Sequence, residues 1–239
     1  MDLSRLQISG NPPEPLESRL QTLPRPVRYR IYWHYLGLEW PRVLTVPRSN
    51  IYSDYARRGA YYLGCGCPGL DASYWIGDRS RIIDTNLAYT SKFFSREVLT
   101  YMYSKMALYF QCTCTILYHT STNDLLSTSL ERIIFLWTGF IADTAFAALR
   151  HVPLTRMTVV IGAFTTIFLT RQEALFRRFF LRKTTHITQA LGIFELLELR
   201  GIESVRVVCY GYRVALMSEE DRQCLEHLLV EHVTRRRVE

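Results

Sequence analysis

The sequence predicts a mixed α/β fold in which a small, mostly parallel sheet is covered by helices. Apolar segments of strand type, at residues 106–117, 156–162 and 204–209, alternate along the chain with segments of helical periodicity. Strands separated by helices are typical of parallel sheets, because a parallel pair needs a crossover connection. A helix–turn–strand unit also recurs loosely, which leaves a solenoid-like curve open.

The length and composition favour one domain with an N-terminal appendage. The chain has 239 residues, of which 48% are hydrophobic and 21% are charged. This balance is ordinary for a globular protein and excludes a wholly disordered chain. A chain of this length buries a full core without help from disulfides or metals. We therefore expect a single α/β domain over residues 21–239.

Residues 1–20 are polar and proline-bearing, and we expect them to form a disordered leader. They lack the apolar segment of a secretory signal. The two longest apolar stretches, at residues 133–149 and 157–170, are interrupted by Asp143 or diluted by threonines, unlike a membrane span. We expect a soluble intracellular protein, cytoplasmic or nuclear, whose six cysteines are thiols.

An N-terminal helix is expected over residues 23–37. Two early prolines are typical of a helix start, and the glycine at the end of the segment is typical of a helix end. Arginines occupy one side of the predicted helix. The other side is formed by apolar and aromatic residues, namely Val27, Ile31, Tyr35 and Leu36.

Residues 39–80 are the least regular part of the chain. They contain prolines and a cluster of glycines, both of which interrupt regular structure. We expect a long loop with short extended pieces. A loop of this length within a domain is unusual, which suggests a functional insertion or a binding loop.

Residues 81–234 are expected to form the core of helices and strands. Helical periodicity first covers residues 81–102. The last helix opens with an imperfect capping box, in which Asp221 replaces the preferred glutamate three residues after Ser218. The other predicted elements are a strand at 106–117, a helix at 127–149, a strand at 156–162, helices at 172–183 and 185–200, a strand at 204–209 and a helix at 218–233.

Two Cys-x-Cys pairs are candidate metal ligands. Cys65 and Cys67 lie in the predicted loop, and Cys112 and Cys114 lie in the predicted strand. Two pairs supply the four soft ligands of a tetrahedral zinc site, but structural zinc motifs usually separate paired cysteines by more than one residue. Cysteines on one strand face also suit burial. We expect plain thiols and no cofactor, and keep a zinc-stabilised binding module as an alternative.

The formal net charge of +7 favours an acidic partner such as nucleic acid, anionic lipid or an acidic protein surface. The basic residues are scattered, apart from an arginine run at residues 235–237 and a predicted basic helix whose other face is apolar, at residues 171–183. Scattered charge is more typical of a solvated surface than of a binding face. A nucleic-acid-associated protein therefore stays an alternative to the expected protein partner.

No catalytic motif stands out in the sequence. The carboxylates Asp84, Asp143 and Glu173 are not paired by their spacing, and the histidines have no metal-ligand spacing. The glycines of residues 64–69 are not followed by the lysine and hydroxyl residue of a phosphate-binding loop. We expect a protein without enzymatic activity.

Three segments have a characteristic order and spacing. Residues 23–36 combine a Leu-Pro start with apolar positions at helical intervals. Residues 82–110 contain a helix pattern that passes through Glu97 to a Tyr-Ser ending at Tyr103 and then to a strand. A Leu-Glu-Leu-Arg-Gly-Ile stretch falls within residues 197–205. Taken together, they resemble the F-box-like proteins of filamentous fungi.

The resemblance implies a substrate adaptor of a cullin-type ubiquitin ligase. The N-terminal helix would dock on the Skp-type linker protein, and the C-terminal sheet would present a recognition surface. Docking of this kind places one apolar stripe of a helix in a partner's groove. The docking residues implied by the resemblance are Leu23, Pro24, Val27, Ile31, Tyr35 and Leu36.

Overall fold

The computed structural model describes residues 16–38, 43–46, 86–138, 141–162, 165–166, 186–209 and 219–236. The strands within these residues are β1 (Val43–Thr45), β2 (Ala107–Phe110), β3 (Arg132–Leu136), β4 (Arg156–Ile161) and β5 (Ser204–Cys209). They form one sheet in the order β1-β2-β3-β4-β5, and every neighbouring pair is parallel. The predicted α/β class and parallel sheet are therefore confirmed.

Helices precede, connect and follow these strands. Among the described residues, two lie before β1, namely α1 (Leu16–Thr22) and α2 (Arg25–Tyr35). Those between β1 and β3 are α3 (Asn86–Thr90), α4 (Lys92–Lys105), α5 (Thr113–Thr122) and α6 (Asp124–Ser129). The later ones are α7 (Ala142–Leu149), a 3-10 turn (Ile187–Gln189), α8 (Ile193–Leu197) and α9 (Glu219–Val233).

The main core lies between one face of the sheet and the helices α5, α7, α8 and α9. Each strand pairs in parallel with the next one in sequence, and parallel neighbours need a crossover connection, which is usually right-handed. Alternate strand residues point to this side and are buried, among them Leu108, Ile133, Phe135 and Val159. Within the described residues, helices α5, α7, α8 and α9 cover this face of the sheet.

A second, smaller core joins α2 to α3 and α4. Its buried members include Tyr32, Leu36, Ala88, Phe94 and Val98. Leu44 of β1 and Tyr103 of α4 pack against both cores. The N-terminal helix is thus attached to the sheet through shared side chains.

Strand β3 lies where a helix was predicted over residues 127–149, and that prediction is wrong. The strand is central in the sheet, and its Ile133, Phe135 and Leu136 are buried. A central parallel strand is apolar on both faces, so its short run lacks the alternation that would distinguish it from a buried helix. Helices α6 and α7 occupy only the two ends of the predicted segment.

The strand predicted over residues 106–117 ends at Phe110, and helix α5 follows at once. Cys112 has an extended backbone and is the N-cap residue of this helix. The β-forming residues of its first turn, including Thr113 and Ile116, are completely buried. Packing of the turn in the core therefore overrides the local preference for a strand.

Two predicted helices are interrupted. The helical segment at residues 81–102 breaks at Ser91, whose hydroxyl accepts a hydrogen bond from the Phe94 amide at 3.3 Å and caps α4. The helix predicted at 185–200 is reduced to the 3-10 turn and α8, because Gly192 between them has a φ of +91°. Glycine adopts this left-handed conformation without steric cost.

The predictions for β4, β5 and α9 are confirmed by their observed bounds. Helix α1 begins at Leu16, inside the leader predicted over residues 1–20, and β1 is an extended piece within the loop predicted over 39–80. The helix predicted at 172–183 and the capping-box residue Ser218 lie outside the described residues.

Candidate protein interface

Helix α2 lies within the segment 23–37 that was predicted as a helix and is two residues shorter at each end. Pro24 is its N-cap residue and a second proline lies in its first turn, where the missing amide hydrogen costs nothing. At the other end Gly37 has a φ of +58°. The Leu38 amide donates to the Trp33 carbonyl at 2.9 Å, which closes the last turn in the manner of a Schellman motif.

The inner face of α2 is fixed to α4 by apolar contacts. Tyr32 and Leu36 are 0% and 1% exposed and belong to the second core. The ring of Tyr101 lies 6.0 Å from that of Tyr32 and 4.6 Å from that of Tyr29, within the range of favourable aromatic pairs. These contacts leave the helix little freedom to rotate about its axis.

A largely buried ion pair reinforces the same face. The Arg28 guanidinium donates to Glu97 through Nε at 2.8 Å and through Nη2 at 2.5 Å, a two-point geometry that orients both side chains. The Tyr32 hydroxyl donates to the same carboxylate at 2.6 Å. The side chains of Arg28 and Glu97 are only 12% and 13% exposed.

The three groups shift one another's proton affinity. Burial raises the pKa of Glu97, but the hydrogen bonds from Arg28 and Tyr32 and the Arg28 charge outweigh it, and the pKa lies below its usual range. The hydrogen bond to Glu97 raises the pKa of Arg28. Burial and the hydrogen bond to Glu97 raise the pKa of Tyr32. The cluster is therefore an ionised pair with a neutral tyrosine at neutral pH.

The outer face of α2 carries two apolar residues that remain partly exposed. Val27 is 45% exposed and Ile31 is 37% exposed. They are four positions apart and therefore adjacent on one face, and we call them the outer stripe. Leu36, which the sequence placed on the same side, is buried instead, because five positions beyond Ile31 carry it most of the way to the opposite face.

The other residues implied as docking groups have mixed positions. Pro24 is exposed and Leu23 is half-buried beside the start of the helix. The Leu23 carbonyl accepts a hydrogen bond from Arg28. The Tyr35 hydroxyl accepts one from the Leu87 amide at 3.1 Å, so this side chain ties α2 to α3. The six predicted residues therefore divide into an outward group and an anchoring group.

The buried ion pair is the part of this site that sequence analysis did not identify as a unit. Glu97 belongs to the family-like pattern, and the sequence predicts only that the arginines of α2 lie on the side of the helix opposite its apolar residues. An arginine and a tyrosine four positions apart, Arg28 and Tyr32, were the available signal for a polar cluster on the inner face. Their carboxylate partner is 69 positions away from Arg28, and local spacing does not indicate such a pairing.

The candidate metal ligands Cys112 and Cys114 lie at the start of α5 and not on a strand. Both are buried, and the Cys112 thiol is 3.0 Å from the Thr115 hydroxyl. Cys65 and Cys67 lie outside the described residues. Among the residues that the structure describes, no group of three or more histidine, cysteine or acidic side chains could hold a metal ion.

The comparisons of this chain with known proteins found no relative. No family model matches the chain, and no curated protein or solved structure matches it with significance.

The helices in the described part of the chain include none that is both long and apolar enough to cross a membrane. The basic segment 171–183 and the acidic candidates Asp84 and Glu173 lie outside the described residues.

Proposed function

We propose that the chain is a non-enzymatic protein-interaction module of F-box-like type. Helix α2 docks on a Skp-type linker protein, and the chain acts as a substrate adaptor of a cullin-type ubiquitin ligase. One observation carries the proposal: the outer stripe of Val27 and Ile31 is exposed on a helix whose opposite face is fixed to α4.

The arrangement suits helix-in-groove recognition. Apolar side chains at positions i and i+4 are the anchors that such a groove accepts. Because the Arg28–Glu97 pair and the buried Tyr32 already hold the helix in place, docking does not have to order it. A preorganised surface loses less entropy on association and binds more tightly for the same contact area.

The sheet is the proposed recognition part of the adaptor. Its unbroken order of successive parallel strands supports a solenoid-like arrangement of this half of the chain. On the face opposite the main core, a cavity of about 340 Å³ crosses the strands. Its lining combines apolar and polar side chains, among them Tyr109, Ile134, Val160 and Arg206.

The test is direct binding of the purified chain to a fungal Skp-type linker protein, measured by calorimetry. Replacing Ile31 or Val27 with glutamate is expected to remove binding, since a charge enters the apolar contact. Val230→Glu is the matched control, because Val230 is 42% exposed on α9, far along the chain from the outer stripe.

Two outcomes would contradict the proposal. The folded wild-type chain could fail to bind the linker protein. Alternatively, the Ile31→Glu and Val230→Glu variants could bind as well as each other, which would show that the outer stripe takes no part. Circular dichroism of each variant separates lost binding from lost folding.

A further inference from the structure

A groove lies along the seam between α2 and α4, on the side of α2 away from the outer stripe. Its volume is about 480 Å³, within the range of about 300–1,000 Å³ that is common for ligand sites. Arg25 and Tyr29 line it from α2, and Lys92, Phe93 and Arg96 line it from α4. The groove therefore combines three cations with two aromatic rings.

The charge of the groove is not balanced by the carboxylate that lines it. Glu97 reaches the groove but is held by Arg28 and Tyr32 from the inner side. Within the described part of the chain, Lys92 and Arg96 are exposed and form no ion pair. Asp124 lines a neighbouring pocket beside Lys92 and Arg96 and offsets part of this charge. The groove keeps a net positive charge, which attracts an acidic ligand.

The aromatic walls are held in position. Tyr29 packs on Tyr101 with ring centroids 4.6 Å apart, and its hydroxyl accepts a hydrogen bond from Arg25 Nε at 2.6 Å. Phe93 is 40% exposed, and the Arg28 guanidinium lies 5.3 Å from its ring centre. A fixed, partly exposed ring beside free cations suits a ligand with both an apolar side chain and carboxylates.

We propose that this groove binds an acidic peptide segment of a protein partner, with carboxylates against Lys92 and Arg96 and an apolar side chain against Phe93. The argument is charge complementarity together with the apolar walls. The surface is distinct from the outer stripe, because Arg25 and Tyr29 lie on the α4 side of α2 and Val27 and Ile31 do not. The proposal for this groove does not depend on docking of the linker protein at the outer stripe.

The experiment uses a fluorescein-labelled peptide with a central phenylalanine flanked by glutamates, and fluorescence anisotropy with the full chain. Binding is expected to weaken at least about tenfold in the Lys92→Glu/Arg96→Glu variant, since charged hydrogen bonds are lost. The matched control is Arg156→Glu/Arg236→Glu, which makes the same change in net charge at two exposed arginines that line neither the groove nor the cavity on the sheet.

Further binding measurements identify which groups of the peptide the groove recognises. The peptide with glutamines in place of glutamates, and the Phe93→Ala variant with the original peptide, are each expected to bind more weakly. The Ile31→Glu variant is expected to bind the peptide as the wild type does, so failure here is distinguishable from failure of linker docking. Circular dichroism confirms that each variant is folded.

The proposal is overturned if the groove and control variants lose equal affinity, or if the glutamine peptide binds as tightly as the glutamate peptide. It is also overturned if a single-stranded oligonucleotide binds more tightly than the peptide and loses that affinity in the groove variant. That result would assign the groove to nucleic acid.

Discussion

Arg28 on α2 and Glu97 on α4 form two hydrogen bonds, at 2.8 Å and 2.5 Å, in a site where each side chain is almost covered. Their sequence separation is 69 residues, so the pair joins the N-terminal helix to the sheet-bearing part of the chain. Tyr32 completes the hydrogen bonding of the carboxylate at 2.6 Å. Together with the apolar contacts of Tyr32 and Leu36, this cluster fixes which face of α2 points outward.

Removing one partner of the pair is expected to destabilise the protein strongly. Glu97→Leu leaves the Arg28 charge buried without its partner, at a cost of about 3–5 kcal/mol. The double variant Arg28→Met/Glu97→Leu removes both charges and is expected to recover most of that loss. Urea unfolding of the three proteins measures the difference, and equal losses in the single and double variants would contradict the assignment.

The stability of the cluster is expected to depend on pH. Because the pKa of Glu97 is lower in the folded protein than in the unfolded chain, the unfolded chain binds more protons at acid pH. The contribution is therefore fully present above the unfolded value of about 4.3 and is lost as pH falls through the lower folded value.

The measurement is the urea midpoint of the wild type and of Glu97→Gln between neutral and acid pH. The advantage of the wild type is expected to shrink as the pH falls. A constant difference between the two proteins would show that the ionised Glu97 carboxylate is not the source of the stability.

Substitutions on the two faces of α2 are expected to differ in their effect on stability. Ile31→Ala on the outer stripe should cost about 1 kcal/mol, because its side chain is only partly buried. Leu36→Ala in the core should cost about 2–5 kcal/mol. Urea unfolding measures both. A large loss in the Ile31 variant would mean that the stripe is core and not a docking surface.

Gly192 is expected to tolerate no side chain. Its φ is +91°, and an added Cβ would lie 2.8 Å from the carbonyl carbon of Ala142 and 2.9 Å from the Phe146 ring. The left-handed backbone and the steric overlap together should make Gly192→Ala destabilising by at least about 2 kcal/mol.

The control for Gly192→Ala is Gly201→Ala. Gly201 also has a positive φ, of +77°, but it is exposed. Thermal unfolding of both variants separates the steric part of the loss from the backbone part. If the two variants lose equal stability, close packing at Gly192 is not the reason for the glycine.

The N-terminal helix could be predicted from the sequence, but the division of its faces could not. Its prolines and Gly37 act through local backbone geometry, which neighbouring residues determine. Whether Val27 or Leu36 is buried depends on where α4 packs. Helix α4 and its Glu97, which bonds to Arg28 of α2, come from a distant part of the chain.

The α/β class, the positions of β4, β5 and α9, and the location of α2 could be predicted from local features of the sequence. These features follow from hydrophobic periodicity and from residues with restricted backbone angles, both of which are local. Long-range packing makes residues 132–136 the central strand β3 and residues 113–122 a helix. It also decided that Arg28 pairs with Glu97 and which cations line the groove. Burial on both faces removes the pattern that distinguishes strand from helix, and contacts between distant residues leave no local spacing.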